Sequence, residues 1–75
     1  MLLELGIYEH YKGKRYQVIG IARHSETLEE LAVYQALYDS PEFGPNPLWV
    51  RPKAMFEGQV EVHGQNIPRF KYLGK

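Results

Sequence analysis

Apolar and polar residues alternate in short runs along most of this chain, and glycine, proline and polar turn formers separate the runs. Alternation over roughly four to eight residues marks a half-buried strand, because successive side chains of extended chain point to opposite faces. Gly6-Ile7-Tyr8-Glu9-His10-Tyr11 reads as a first short strand. Lys12-Gly13-Lys14 reads as a tight turn, with Gly13 able to take the positive φ such a turn demands. Arg15-Tyr16-Gln17-Val18-Ile19-Gly20-Ile21-Ala22-Arg23-His24 reads as a long strand. Tyr16, Val18, Gly20, Ala22 and His24 fall on one face of it, and Gln17, Ile19, Ile21 and Arg23 on the other. Both faces are partly apolar, and Gly20 in the middle predicts a bend or bulge.

Residues 25–39 carry two competing patterns. Thr27-Leu28-Glu29-Glu30 fits a capping box, and Leu28, Leu31 and Ala32 would share a helical stripe. Ala32-Val33-Tyr34-Gln35-Ala36-Leu37-Tyr38 alternates instead, with Val33 and Leu37 on one side and Tyr34 and Tyr38 on the other. The segment therefore divides into a polar loop over residues 25–31, with room for one helical turn, and a strand over residues 32–38. Asp39-Ser40-Pro41-Glu42-Phe43-Gly44-Pro45-Asn46-Pro47 is a loop. Leu48-Trp49-Val50-Arg51 is a short strand stopped by Pro52, and Lys53-Ala54-Met55-Phe56-Glu57 suits a helical turn ahead of Gly58. Gln59-Val60-Glu61-Val62 and Ile67-Pro68-Arg69-Phe70-Lys71-Tyr72-Leu73 bracket His63-Gly64-Gln65-Asn66 as a hairpin. Pro68 cannot donate to a ladder and belongs at an edge or a strand start.

Five to six short strands at this spacing predict an all-β domain. The expected architecture is a small SH3-like barrel. The other arrangement is a strongly curled antiparallel sheet with one short helix over residues 25–37. A 13% aromatic content suits either, since rings supply the buried area a small core needs.

Composition narrows the classes. With 75 residues, 44% of them hydrophobic and 24% charged, the chain is an ordinary globular sequence rather than a disordered one. No linker or repeat divides it, so residues 1–75 are expected to form one domain. A chain this short buries only about 60% of the surface its unfolded form exposes, which makes deep clefts hard to build. Nine basic and nine acidic residues give zero formal charge. That argues against polyanion binding by the whole domain. A local anion site is still permitted, because acid gathers at Glu26, Glu29 and Glu30 while base gathers over residues 12–15 and on the late strands. Cysteine is absent, which favours a reducing, cytoplasmic setting and removes thiol catalysis and cysteine-bound zinc. Met1-Leu2-Leu3-Glu4-Leu5 lacks the basic start of a secretory leader, and no apolar run approaches the roughly 20 residues of a membrane span.

Several strings together resemble a bacterial family known as domain of unknown function 1653. They are Gly6-Ile7-Tyr8-Glu9-His10-Tyr11-Lys12-Gly13, Tyr16-Gln17-Val18-Ile19-Gly20, Ala22-Arg23-His24-Ser25-Glu26-Thr27, Val33-Tyr34-Gln35-Ala36-Leu37-Tyr38, Leu48-Trp49-Val50-Arg51-Pro52, Met55-Phe56 and Pro68-Arg69-Phe70. They run in order from about Gly6 to Tyr72, so the chain is expected to be a complete module. The resemblance implies a short, soluble, β-rich bacterial protein and brings no activity, substrate or cofactor with it.

Arg23-His24-Ser25-Glu26-Thr27 is the densest polar string, placed where a long strand ends. Arg23 would hold an anion, with His24, Ser25 and Glu26 as hydrogen-bonding or proton-transfer groups. The plainer reading has Ser25 or Thr27 capping a turn and Arg23 paired with Glu26, Glu29 or Glu30. A serine triad does not fit, because adjacent residues in extended chain diverge. Trp49 and Arg51, two apart, share a face suited to stacking and ion pairing, with Val50 on the other face as the natural core residue. The plainer reading makes Trp49 the largest core residue. Arg69 and Lys71 oppose Phe70 and Tyr72 by the same parity. His10, His24 and His63 lack the close spacing of metal ligands.

These residues predict a binding module for a small anionic or peptide-like ligand, carried by Arg23, His24, Ser25, Glu26, Trp49, Arg51 and Arg69, with no cofactor, no metal and no membrane partner. Two other functions compete. One is single-stranded nucleic-acid binding through Tyr8, Tyr11, Tyr16 and Trp49 beside Lys12, Lys14, Arg15 and Arg51. The other is a small hydrolase or transferase using His24 and Glu26.

Overall fold

A computed structural model describes residues 3–75. The reading of the N-terminal run as no leader rests in part on Met1 and Leu2, which lie outside the described residues. Among the described residues there are nine strands and one helical turn: β1 Gly6–His10, β2 Arg15–Arg23, β3 Glu30–Ala36, β4 Asp39–Ser40, β5 Gly44–Pro45, β6 Leu48–Pro52, α1 Lys53–Phe56, β7 Gln59–Val62, β8 Gln65–Pro68 and β9 Phe70–Gly74. Five of them form one antiparallel sheet in the order β6-β3-β2-β1-β9, and β4–β5 and β7–β8 are separate two-stranded ribbons. The all-β expectation holds, but the sheet is not closed into a barrel: β6 and β9 remain its two edges. The expected order of loop and then strand over residues 25–38 holds, and the short helix of the alternative arrangement over residues 25–37 is absent. The chain there makes turns and then strand β3, and the helical turn is the one expected at residues 53–56.

Local chemistry explains the turns. Lys12-Gly13-Lys14 closes the β1–β2 hairpin, and the Gly13 N–H donates to the His10 carbonyl at 2.7 Å. His63 and Gly64 join β7 to β8 with φ of 52° and 79°, the paired positive values of a two-residue hairpin turn. Gly6 is held at φ 139°, where a Cβ would meet the Gly74 carbonyl oxygen at 2.7 Å, so a side chain there would push β1 off β9.

One face of the sheet carries the core. Tyr8, Val18, Ala32, Tyr34, Phe56 and Phe70 form a single buried cluster, with Tyr16 and Trp49 packed against it. Phe56 comes from α1, is 1% exposed and stacks on Phe70 at 4.0 Å with rings 6° apart. The helical turn thus covers the core side of the sheet, packed against β3 and β6. Burial of one such ring is worth about 3 kcal/mol or more.

The opposite face is open, and two expectations fail there. Val50 is 61% exposed, while its neighbours Trp49 and Arg51 turn to the core side. Alternation shows which residues share a face, but the face α1 covers is decided by tertiary packing. The second failure lies in β2. The bend expected near Gly20 is present as a bulge: Val18 pairs with Tyr34 and Gly20 with Val33, leaving Ile19 extra and 47% exposed. Beyond the bulge the parity is inverted, so Ile21, not Ala22, lies across from buried Ala32.

Candidate functional site

The registers Val18↔Tyr34 and Tyr34↔Trp49 bring three strands together on the core face. Two residues further along β3, Tyr16 faces Ala36; two residues back, Arg51 faces Ala32. The result is a cleft of about 210 Å³ lined by Tyr16, Tyr34, Tyr38, Trp49 and Arg51. Tyr16 meets Tyr34 and Tyr38 edge to face, at 5.3 and 5.5 Å between ring centroids. The hydroxyls of Tyr16 and Tyr38 are hydrogen-bonded at 2.7 Å. Burial, and next that hydrogen bond, push the Tyr16 hydroxyl far above its ordinary pKa, so it keeps its proton. Lys14 sits 4.3 Å over the Tyr38 ring and braces it from the β1–β2 turn. Phe43, carried by the β4–β5 ribbon, packs edge-on against Trp49 at 5.2 Å.

Arg51 is the one charged residue lining this cleft. Its Nε donates to the Tyr34 hydroxyl at 3.4 Å, and its guanidinium lies 5.8 Å from the Phe70 ring centroid. Among the described residues the ion pairs are Arg15–Glu9 at 3.5 Å and Lys53–Glu57 at 3.1 Å, and Glu26 lies against His24, so no carboxylate reaches Arg51. Two buried donors lack an acceptor among the described residues: Trp49 Nε1 and Arg69 Nε. A buried donor left unpaired costs about 1–3 kcal/mol. Arg69 itself is anchored through its backbone, its N–H donating to the Gly58 carbonyl and its carbonyl accepting from the Tyr11 N–H. His10 faces Phe70 at 5.0 Å. Burial lowers the His10 pKa below its ordinary 6.5, and Arg51, Arg69 and Lys12 lower it further.

The other expected site residues lie elsewhere. Arg23, His24, Ser25 and Glu26 are all exposed, at the end of the β2–β3 hairpin. Strand β6 pairs with β3 only as far as Leu31↔Pro52, so the hairpin continues past the third strand. Each of these side chains makes a local hydrogen bond. Arg23 donates to the Leu28 carbonyl at 3.1 Å, where a carboxylate partner was expected. Ser25 Oγ hydrogen-bonds the Glu26 carboxylate. His24 Nδ1 accepts from the N–H groups of Glu26 and Thr27 at 3.1 and 3.3 Å. A ring nitrogen that accepts carries no proton, so its 3.6 Å approach to Glu26 is proximity and not an ion pair. The arrangement does the work of a turn cap, as expected of Thr27, whose Oγ1 accepts from the Glu29 N–H at 3.2 Å, and His24 shares that work. Among the residues named for nucleic acid, Tyr8 is buried in the core and Arg15 is paired with Glu9. The three histidines fall on β1, the β2–β3 turn and the β7–β8 turn, and no group of three metal-ligating side chains occurs among the described residues.

Sequence reasoning therefore found Trp49 and Arg51 but missed how Tyr16, Tyr34 and Tyr38 join them. The usable signal was the shared side of Tyr34 and Tyr38. The missing information was the register that sets β3 between β2 and β6.

Fold and cleft together define a small, open, one-sheet β domain with an arginine set among aromatic rings. The chain belongs to the DUF1653 family, described as a protein of unknown function, whose model matches residues 6–72. A crystal structure of a DUF1653 protein from Bordetella bronchiseptica is similar, at 35% identity and a TM-score of 0.85, covering 96% of this chain and 88% of that one. No protein of curated function matches.

Proposed function

We propose that this domain is a cytoplasmic binding module for a small anionic ligand, seated in the cleft of Trp49 and Arg51. The observation that carries the reading is a half-buried guanidinium with no carboxylate partner, set among rings. A buried charge is ordinarily paired, and an external anion supplies the missing partner. The groups lining the cleft favour binding over catalysis: they offer donors and stacking faces, with no nucleophile beside a base. A cleft of about 210 Å³ is smaller than the roughly 300–1,000 Å³ of drug-sized pockets, so the ligand is compact. The zero cysteine count supports the reducing compartment.

The chain contains one tryptophan, and it lines the cleft, so its emission reports on this site alone. Titration with small carboxylates and with phosphate is expected to shift that emission saturably. Arg51→Gln is expected to abolish the shift while the far-ultraviolet spectrum stays unchanged. An emission indifferent to every anion tested, in a folded protein, overturns the reading.

A further inference from the structure

The open side of the sheet, away from the cleft, differs in composition from the rest of the surface. Register sets its residues in rows across β2, β3 and β6. Ala22, Leu31 and Pro52 make one row, and Gly20, Val33 and Val50 the next. Ile7, Gln17, Gln35 and Leu48 make a third, which reaches β1. No residue of the three rows is charged, in a chain that is 24% charged. Charge returns one row further on, where Glu9 pairs with Arg15. A charge-free apolar centre beside a charged rim is the pattern of a protein–protein contact.

The relief of this face is complementary to itself. On one side, on β6, Leu48 and Val50 stand out, each 61% exposed. On the other side, a hollow of about 400 Å³ is lined in part by Leu5, Gln17 and Ile19. Leu48 and Gln17 belong to the same row. A two-fold axis lying along the strands, above β3, turns the face over without sliding the rows past one another. It lays Leu48 of each copy over the Gln17 row of the other, at the hollow, and Val50 one row on. A two-fold contact needs this reciprocity, since what a residue meets in the partner must meet it in return.

Area, charge and edges fit the same partner. The chain exposes 5484 Å², whereas a folded monomer of its 8.8 kDa exposes about 4,800 Å². The surplus of about 700 Å² is near the ~800 Å² that each partner gives to an interface of standard size. Zero formal charge leaves no long-range repulsion between copies. The sheet edges suit pairing less well. Strand β6 ends on Pro52, which has no N–H to give, and β9 carries Lys71.

We propose that two copies of this chain pack face to face through the open sheet as a closed two-fold dimer. Leu48 and Val50 of each copy sit against Gln17 and Ile19 of the other. The anion cleft lies on the opposite face, so the dimer leaves it free in both copies and does not depend on the anion reading.

Sedimentation equilibrium of the intact chain, between about 1 and 100 µM, is expected to show the mass rise to twice 8.8 kDa and stop there. Leu48→Lys and Val50→Lys put a charge into the contact at positions that are exposed in a single copy. Each is expected to keep the far-ultraviolet spectrum and to weaken dimerisation at least about tenfold. Should one of them fail to fold, the other reads the same face. Ile19→Glu is expected to weaken the dimer from the side of the hollow. Mixing Leu48→Lys with Ile19→Glu is then expected to restore a dimer, because the introduced lysine of one copy meets the introduced glutamate of the other. A wild-type chain that stays at 8.8 kDa throughout overturns the proposal, whether or not it sediments with phospholipid vesicles. A mass that climbs past the dimer overturns the closed two-fold and points to edge pairing. A dimer indifferent to both lysine variants overturns the choice of face. Two monomeric variants that ignore each other on mixing overturn the placing of β6 over the hollow.

Discussion

Two polar regions of this molecule make opposite use of similar side chains. The β2–β3 hairpin end holds arginine, histidine, serine and glutamate side by side in sequence, and each of these side chains closes on a neighbour within a few residues. The cleft assembles Arg51, Trp49 and three tyrosines from separate strands and bends, and its donors outnumber its acceptors. The difference is one of range. Polar residues adjacent in sequence can satisfy one another locally, so their density marks a turn. Residues brought together by sheet register are held apart by the backbone, and on the proposed reading an anion supplies what Arg51 lacks.

The comparison can be broken most sharply at Arg51. Arg51→Ala is expected to cost about 1.5–3 kcal/mol of anion affinity, roughly 10- to 100-fold, read by calorimetry. An equal loss in Arg23→Ala would show that the hairpin belongs to the site after all. His24→Ala reverses the pattern: it strips two backbone N–H groups of their acceptor, and is expected to cost about 1 kcal/mol of stability in urea melts with no change in affinity. Tyr16→Phe removes the hydroxyl bridge to Tyr38 and is expected to cost about 1 kcal/mol of stability, with weaker anion binding as well. A smaller effect is expected from acid. His10 has a folded pKa below its unfolded value, so its stabilising contribution is complete above about pH 6.5 and is lost as pH falls from there through the folded pKa. Urea melts at neutral and acidic pH should show this loss in the wild type and a reduced loss in His10→Gln. The smallest effect belongs to Arg23→Ala, within about 0.5 kcal/mol in stability, as for an exposed residue bonded to one carbonyl.

Most strands were legible from alternation because extended chain has a fixed period of two. The turn at Gly13 and the single helical turn before Gly58 were legible from residues that only certain backbone conformations favour, whereas the turn expected over residues 63–66 is only His63-Gly64, with Gln65 and Asn66 already paired to Val62 and Glu61. Strand β3 begins at Glu30 and ends at Ala36, two residues ahead of its expected span at each end. Its N-terminal part was hidden by Glu29-Glu30-Leu31-Ala32, whose helical propensity is real but yields to pairing with β2 on one side and β6 on the other. The pairing of Trp49 with Arg51 on one face followed from parity. The orientation of that face did not, because it depends on Phe56 arriving from α1 to cover one side of the sheet. Open architecture escaped for a related reason. Strand number and spacing are alike for a curled sheet and a barrel, and closure depends on whether the edge strands meet.

The bulge at Ile19 has an evolutionary side. Deleting one residue from a strand ordinarily turns every later side chain over, exchanging core for solvent. Ile19 is the surplus residue of β2, and Leu73 holds the same position in β9, where Tyr72 pairs with Tyr8 and Gly74 with Ile7. Removing either restores plain alternation and leaves every other inward side chain facing inward. Single-residue gaps between relatives are therefore expected to settle at these two places, and a length difference anywhere else in the sheet would have to be matched by a second one nearby.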